Sequence, residues 1–315
     1  MQNKETIDTS LLEDLAPKAE VLVARHLETR KSWQPHEFVP WSLANDYPED
    51  YEWQSSEFAM PEYIRSALFV NLLTEDNLPF YVRDIDEFAG KDGIWRHWTG
   101  IWTFEEGRHS YAMRSYIEAT RAIDPVKLEQ AREVQVTNGE VPKIDSTMDG
   151  FVYVALQELA TRISHLNTAK KLREVSNFAT DERTKIAANA GYVCLKRIAT
   201  DENFHHLLYR DLVTESILID SSKVIMAVHK QVMNFAMPGT GIPGFKEHAK
   251  NIANSGIYNS TIHFEDILMP IVVNKWKIGQ LEGLNPEASK AQEEIMNRIE
   301  RIRKIINKIN SKNTI

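Results

Sequence analysis

Apolar residues recur three and four positions apart along most of the chain, the spacing that lines one face of a helix. "EYIRSALFVNLLTEDNL" places Ile64, Leu68, Asn71, Leu72 and Glu75 in that register, and "DGIWRHWTGIWTFEEGRHSYAMRSYIEATRAI" carries Trp95, Trp98 and Trp102 the same way, as candidate core. Asp124-Pro125 ends this helix and opens the next, because proline suits a first helical turn. "STMDGFVYVALQELATRISHLNTAKKLREVSN" reads as a long helix starting at a Ser or Asp cap, and "DERTKIAANAGYVCLKRIATDENFHHLLYRDLVTESIL" as another. "SKVIMAVHKQVMNFAM", a Gly/Pro-rich loop "MPGTGIPGF", the apolar "EDILMPIVVNKWKI" and an amphipathic helix from about Pro286 complete the chain. No run alternates with period two, so the expected fold class is all-α. A single domain over 1–315 is expected. Within it, 1–57 is a less regular, Pro- and aromatic-rich segment with some helix, 58–236 the helical core, and 237–315 a loop followed by helices.

Charge and cysteine content narrow the chemistry. A formal net charge of −8 opposes nucleic acid as the main partner, since phosphate binding needs a basic field. Local basic stretches remain, such as Lys170, Lys171 and Arg173. The one cysteine, Cys194, excludes an internal disulfide and a cysteine-rich metal site, and fits a reducing compartment. No apolar run approaches the roughly 20 residues of a membrane span, and the first residues lack the apolar core of a signal peptide. An intracellular protein without integral membrane association is therefore expected.

Two Glu-x-x-His motifs stand out, Glu106 to His109 and Glu202 to His205. With 29 Glu and 10 His in 315 residues, chance alone supplies about one, so placement must carry the case. Residues three apart share a helix face, so each pair can reach one ion. The helix before the first motif holds Glu75 among Leu68, Leu72 and Leu78; the helix before the second holds Glu158 among Val154, Leu156 and Leu159. A carboxylate in such surroundings costs several kcal/mol, on the order of 3–5, unless paired or metal-bound. The resulting order, Glu, Glu-x-x-His, Glu, Glu-x-x-His on four helices, is that of carboxylate-bridged di-iron and di-manganese bundles. Oxygen-rich ligation with two imidazoles suits iron or manganese.

From about Trp33 to Trp276 the chain resembles the soluble acyl-acyl carrier protein (acyl-ACP) desaturase family, on "WQPHEFVP", "NLLTEDNLPFY", "WTFEEGRH", "FVYVALQELATRISHLNTA" and "IATDENFHH". The resemblance implies a ferritin-like four-helix bundle with additional helices and two iron ions. Glu106 and Glu202 would bridge the irons, Glu75 and His109 would serve one, and Glu158 and His205 the other; Glu105, Asp201 and His206 would not be ligands. It further implies proton management by Thr161, whose hydroxyl could otherwise simply bond the carbonyl one turn back, and an electron route through Trp33 and Asp201 behind His109, although Trp33 could equally be core. The implied reaction inserts a cis double bond into a saturated acyl chain on acyl carrier protein, with dioxygen and a ferredoxin donor, in a homodimer. The chain departs from the plant enzymes in Arg83, Asp84, Asp86, Glu87 and Phe88, where Phe88 is expected to close the acyl cavity early and favour a shorter chain or a shifted double bond. The loop after Met237 is more similar to bacterial members, so a bacterial cytoplasm is expected over a plastid stroma. Rival readings are another di-iron oxidase or oxygenase, such as a ribonucleotide reductase small subunit, and an iron-binding bundle without desaturase activity. Where that reductase places its radical tyrosine, this chain has Met113.

Overall fold

Capping residues set where the long helices begin. In the computed structural model, which describes residues 7–139 and 141–312, the chain forms α1 (Thr9–Thr29), α2 (Glu62–Glu75), α3 (Leu78–Ala89), α4 (Gly93–Thr120), α5 (Pro125–Asn138), α6 (Thr147–Phe178), α7 (Glu182–Ile219), α8 (Ser221–Asn234) and α9 (Phe245–Asn254). A single turn, α10 (Ser260–His263), runs into a π-helical segment at Phe264–Lys275, and α11 spans Pro286–Lys312. Among the described residues there is no strand. The Asp124 carboxylate accepts from the backbone N–H groups of Val126 and Lys127, the Ser146 hydroxyl from Asp149, and the Asp181 carboxylate from Thr184. Each cap satisfies donors that the first turn of a helix leaves unpaired. Arg121 takes a left-handed conformation (φ 58°) and ends α4.

Four of these helices close a ring: α2 packs on α4, α4 on α7, α7 on α6, and α6 back on α2. Their facing sides are apolar above and below a polar layer. One apolar cluster joins Ile64, Leu68, Met113, Leu172 and Leu195, and the other joins Trp102, Phe151, Leu159, Leu208 and Tyr209. The N-terminal stretch, expected to be the least regular part, begins with the 21-residue α1, which continues through Pro17. Its buried stripe of Leu11, Leu15, Leu22, Val23 and His26 lies against α4 and α7, so tertiary burial outweighs the hydrogen bond that proline removes. In the segment after α10, Pro270 also lacks an N–H, and the wider helix is marked by the Trp276 amide donating to the Ile271 carbonyl five residues back at 2.8 Å. Trp95, Trp98 and Trp102 are all buried.

Close approach between neighbouring helices depends on two glycines. A Cβ on Gly191 of α7 would lie 2.3 Å from the Tyr116 hydroxyl of α4, and one on Gly150 of α6 would lie 2.6 Å from the Phe88 ring of α3. Gly100, on the exposed side of α4, has nothing within 4 Å of that position. Gly191→Ala is therefore expected to lower the unfolding free energy by about 1–3 kcal/mol in urea titration through overpacking, while Gly100→Ala raises it by roughly 0.5–1 kcal/mol through helix propensity.

Candidate metal centre

The polar layer is built from one carboxylate on α2, one on α6, and a carboxylate–imidazole pair on each of α4 and α7. Glu75 sits in the last turn of α2, with Glu106 and His109 mid-way along α4, Glu158 on α6, and Glu202 and His205 on α7. Both histidines are fully buried, and none of the four glutamates is more than 7 % exposed. Two groups of possible ligand atoms result. Glu75, Glu106, His109 and Glu202 form one, Glu106, Glu158, Glu202 and His205 the other, and Glu106 and Glu202 belong to both. His109 Nδ1 lies 3.2 Å from Glu202 Oε1 and 3.4 Å from Glu106 Oε2, while His205 Nδ1 lies 2.8 Å from Glu106 Oε1 and 3.5 Å from Glu158 Oε2.

These atoms fit a pair of hard cations better than they fit one another. Nδ1 of both histidines, Glu106 Oε1, Glu158 Oε2 and Glu202 Oε1 are buried with no hydrogen-bond partner among the described residues. Burial and the neighbouring Glu106 charge push the carboxyls of Glu75 and Glu202 well above the usual range. Burial also raises Glu106, but His109 and His205 outweigh it and hold that carboxyl below the usual range. Burial lowers the His109 and His205 imidazoles; the carboxylates around them more than reverse this and raise both well above the ordinary value. Four carboxylates crowded into one apolar interior cannot all ionise against two imidazoles, whereas two divalent ions would neutralise all four. Oxygen-rich donors with two nitrogens suit iron or manganese.

A second ring of residues orients the first. His165, kept neutral by burial with its value lowered to about 3, donates from Nε2 to Glu75 Oε1 at 2.9 Å, and its Nδ1 lies 3.4 Å from the Asn71 amide nitrogen. The Trp102 indole donates to Glu158 Oε1 at 3.0 Å. Behind His109, Asp201 Oδ2 lies 3.5 Å from Nε2 and accepts from the Trp33 indole at 2.6 Å, with Arg197 and Arg108 also paired to that carboxylate. Behind His205, Glu105 Oε2 lies 2.9 Å from Nε2 and 2.9 Å from His26 Nε2, with Arg30 bound to the other oxygen. Burial raises the Glu105 carboxyl, but its bonds to His205 and His26 hold it far below the usual range.

The chain matches the family model described as fatty acid desaturase over residues 8–315. It belongs to the fatty acid desaturase family. Among its relatives, a Mycobacterium tuberculosis protein named as acyl-ACP desaturase DesA1 is 35% identical over 298 residues, which cover 91% of this chain and 84% of that protein. The chloroplastic stearoyl-ACP 9-desaturase of Brassica napus is 30% identical over 301 residues, 90% of this chain and 72% of that protein. The X-ray structure of DesA2 from M. tuberculosis, named as an acyl-ACP desaturase, shares the fold with a TM-score of 0.68 at 23% identity, over 90% of this chain and 99% of that chain.

Within this desaturase fold the six residues expected as ligands come together, and the remaining candidates fall close by. Trp33 is buried, with its ring nearly parallel to His109 at 6.3 Å between centroids. Thr161 lines a narrow cavity beside the layer and accepts from the Gln157 amide at 2.8 Å. The same cavity meets Glu75, Glu106, Glu158 and Glu202 at one side and continues along Tyr81, Asp84, Ile85 and Phe88 of α3. Phe88, one of the residues lining the cavity, is buried with its ring edge-on to Phe151 of α6. Glu105, His26 and His165 are neighbours of the layer that motif spacing did not single out. The one local signal is an acid immediately before each Glu-x-x-His motif, Glu105 and Asp201.

The electrostatics give a sign for pH dependence. Without metal, the raised imidazoles of His109 and His205 add stability that is full below about pH 6.5 and lost as pH climbs through their elevated folded values. The raised carboxyls of Glu75 and Glu202 slope the same way, since the folded state holds protons that the unfolded state releases above about pH 4.5. The metal-free protein is thus expected to lose stability from pH 6 to 8, and ferrous or manganous ion to release protons on binding. Thermal unfolding across that range, and calorimetry in buffers of different ionisation enthalpy, check both; no proton release contradicts the account.

Proposed function

We propose that this chain is an acyl-ACP desaturase that inserts a cis double bond into a saturated acyl chain carried on acyl carrier protein. The observation that carries the reading is the junction of two features: a buried layer of four carboxylates and two imidazoles, and a cavity walled by Ile85, Phe88 and Val154 that opens onto it. Family membership and the names of the relatives point the same way. The ligands in this reading are Glu75, Glu106, His109, Glu158, Glu202 and His205, holding two iron ions with Glu106 and Glu202 shared. When bound, iron would supply the oxidising power that no side chain has toward an unactivated methylene.

The residues of this chain would then bind, orient and exclude water. The cavity wall holds the acyl chain extended beside the layer, and burial of the layer keeps bulk water from the reacting carbons. Thr161, facing the cavity one turn from Glu158, would hold or pass a proton at its hydroxyl. Trp33, bonded to Asp201 behind His109, would carry electrons inward from a ferredoxin-type donor. The carrier protein stays outside. No described helix is long and apolar enough to cross a membrane, which suits a substrate presented by a carrier protein. We assign the enzyme to the bacterial cytoplasm and to a homodimer; Phe104 and Tyr111, exposed one side of α4 from the layer, offer an apolar surface for a second copy.

Incubating iron-loaded protein with palmitoyl- and stearoyl-ACP, ferredoxin, its reductase, NADPH and air is expected to yield acyl chains lighter by about two mass units. A gain of about sixteen units would replace this reading with an oxygenase, and unchanged substrate with iron bound would overturn it. If Phe88 sets the far limit of the cavity it lines, Phe88→Leu is expected to raise the ratio of stearoyl to palmitoyl turnover several-fold, on the order of the 10-fold given by one or two added methylenes. An unchanged ratio would remove Phe88 as the limit.

A further inference from the structure

The two buried imidazoles are held from behind by arms that cross between helices. The acid preceding each Glu-x-x-His motif reaches the histidine of the other motif: Asp201 of α7 meets His109 of α4, and Glu105 of α4 meets His205 of α7. Each acid is backed in turn from the N-terminal part of the chain, Asp201 by Trp33 and Glu105 by His26 of α1. We infer that His26 is the positioning residue for His205: by holding Glu105, it fixes the His205 ring with Nδ1 toward the layer and sets the affinity of the metal position that His205 serves. The inference rests on the metal-centre reading above.

Glu105 is fully engaged. Arg30 takes Oε1, Arg108 lies 3.8 Å from the same oxygen, and both imidazole Nε2–H groups donate to Oε2. A carboxylate oxygen accepts two such bonds, and they keep a proton on Nε2 of each ring. His205 Nδ1, facing Glu106 and Glu158, is then the nitrogen that gives up its proton and offers a lone pair when a metal binds.

Packing alone does not account for a histidine at this position. His26 is 4 % exposed, with its ring edge-on to Trp98 and Phe204, and its Nδ1 has no hydrogen-bond partner among the described residues. A leucine or phenylalanine would fill the same apolar pocket without stranding a buried nitrogen, so the unpaired atom is offset only by what Nε2 does for Glu105. Arg30 and Arg108 beside Glu105 also argue against a third cation there, although His26, Glu105 and His205 stand close enough to hold one. Without His26, Oε2 keeps one donor, and Glu105 is free to turn toward the two arginines and release His205. Losing the carboxylate behind a ligating imidazole weakens metal binding by about 10–100-fold, and loss of His26, acting through that carboxylate, is expected to reach at most that range.

The experiment is anaerobic titration of the metal-free, full-length protein with Fe²⁺, and with Co²⁺ for its visible spectrum, in wild type, His26→Leu and His26→Gln. Wild type is expected to bind two ions tightly. His26→Leu is expected to keep one and bind the other more weakly, by at most about 10–100-fold, with the Co²⁺ bands of one position altered, and His26→Gln, which keeps an N–H donor, to recover most of the loss. The unfolding temperatures of metal-free His26→Leu and His26→Gln should agree. Two equally tight ions in His26→Leu, or no recovery in His26→Gln, would overturn the inference while leaving the metal centre standing. Equal weakening of both positions together with a lower unfolding temperature in His26→Leu would make the role structural and overturn it too. A wild type that binds no metal would overturn the metal-centre reading and this inference with it.

Discussion

Placing four carboxylates in the middle of a helix bundle is the constraint on which the rest of this structure depends. Glu75, Glu106, Glu158 and Glu202 share an interior that also holds His109 and His205, and at that depth a lone charge costs several kcal/mol, on the order of 3–5. The layer is tolerable only if every helix arrives in register, because a shift of one residue turns a carboxylate some 100° away from its neighbours. The bundle meets this by separating its core into two apolar clusters, one on either side of the layer. The clusters supply the burial that holds the helices together, and the layer fixes their relative heights.

The remaining polar residues follow from that placement. His165 and Trp102 donate to Glu75 and Glu158, leaving the second oxygens to face inward. Asp201 and Glu105 hold the far sides of the two imidazoles; against the burial that would raise them, Asp201 is held below the usual range by His109, Trp33 and Arg197, and Glu105 by His205 and His26. Three of the outer groups, His26, Arg30 and Trp33, come from the segment before the bundle, so that segment is part of the site. The cavity along α3 then meets the layer at its carboxylate side, away from Trp33.

Much of this was legible in the chain. Capped helices, the two Glu-x-x-His motifs and the glutamates on the intervening helices are local patterns, and three-residue spacing is enough to put Glu106 with His109 and Glu202 with His205. Gathering Glu75 and Glu158 to them needed only the burial argument. What spacing could not give are partners joined across long stretches of chain: His26 to Glu105, 79 residues apart, and His165 to Glu75, 90 apart. α1 was obscured by Pro17 and by the prolines and aromatics after it, although its buried stripe keeps helical spacing. In "EDILMPIVVNKWKI" the apolar residues were evident, but the π-helical winding around Pro270 was not, since the same residues suit an ordinary helix equally well.

Glu106 and Glu202 belong to both groups of possible ligand atoms in the buried layer, and we propose that two metal ions share them there. Diffraction from iron-loaded crystals, collected on both sides of the iron absorption edge, tests it most directly. Two anomalous peaks are expected between α2, α4, α6 and α7, one against Glu75 and His109, the other against Glu158 and His205, with Glu106 and Glu202 touching both. A single peak, or one lying between His26, Glu105 and His205, would contradict it.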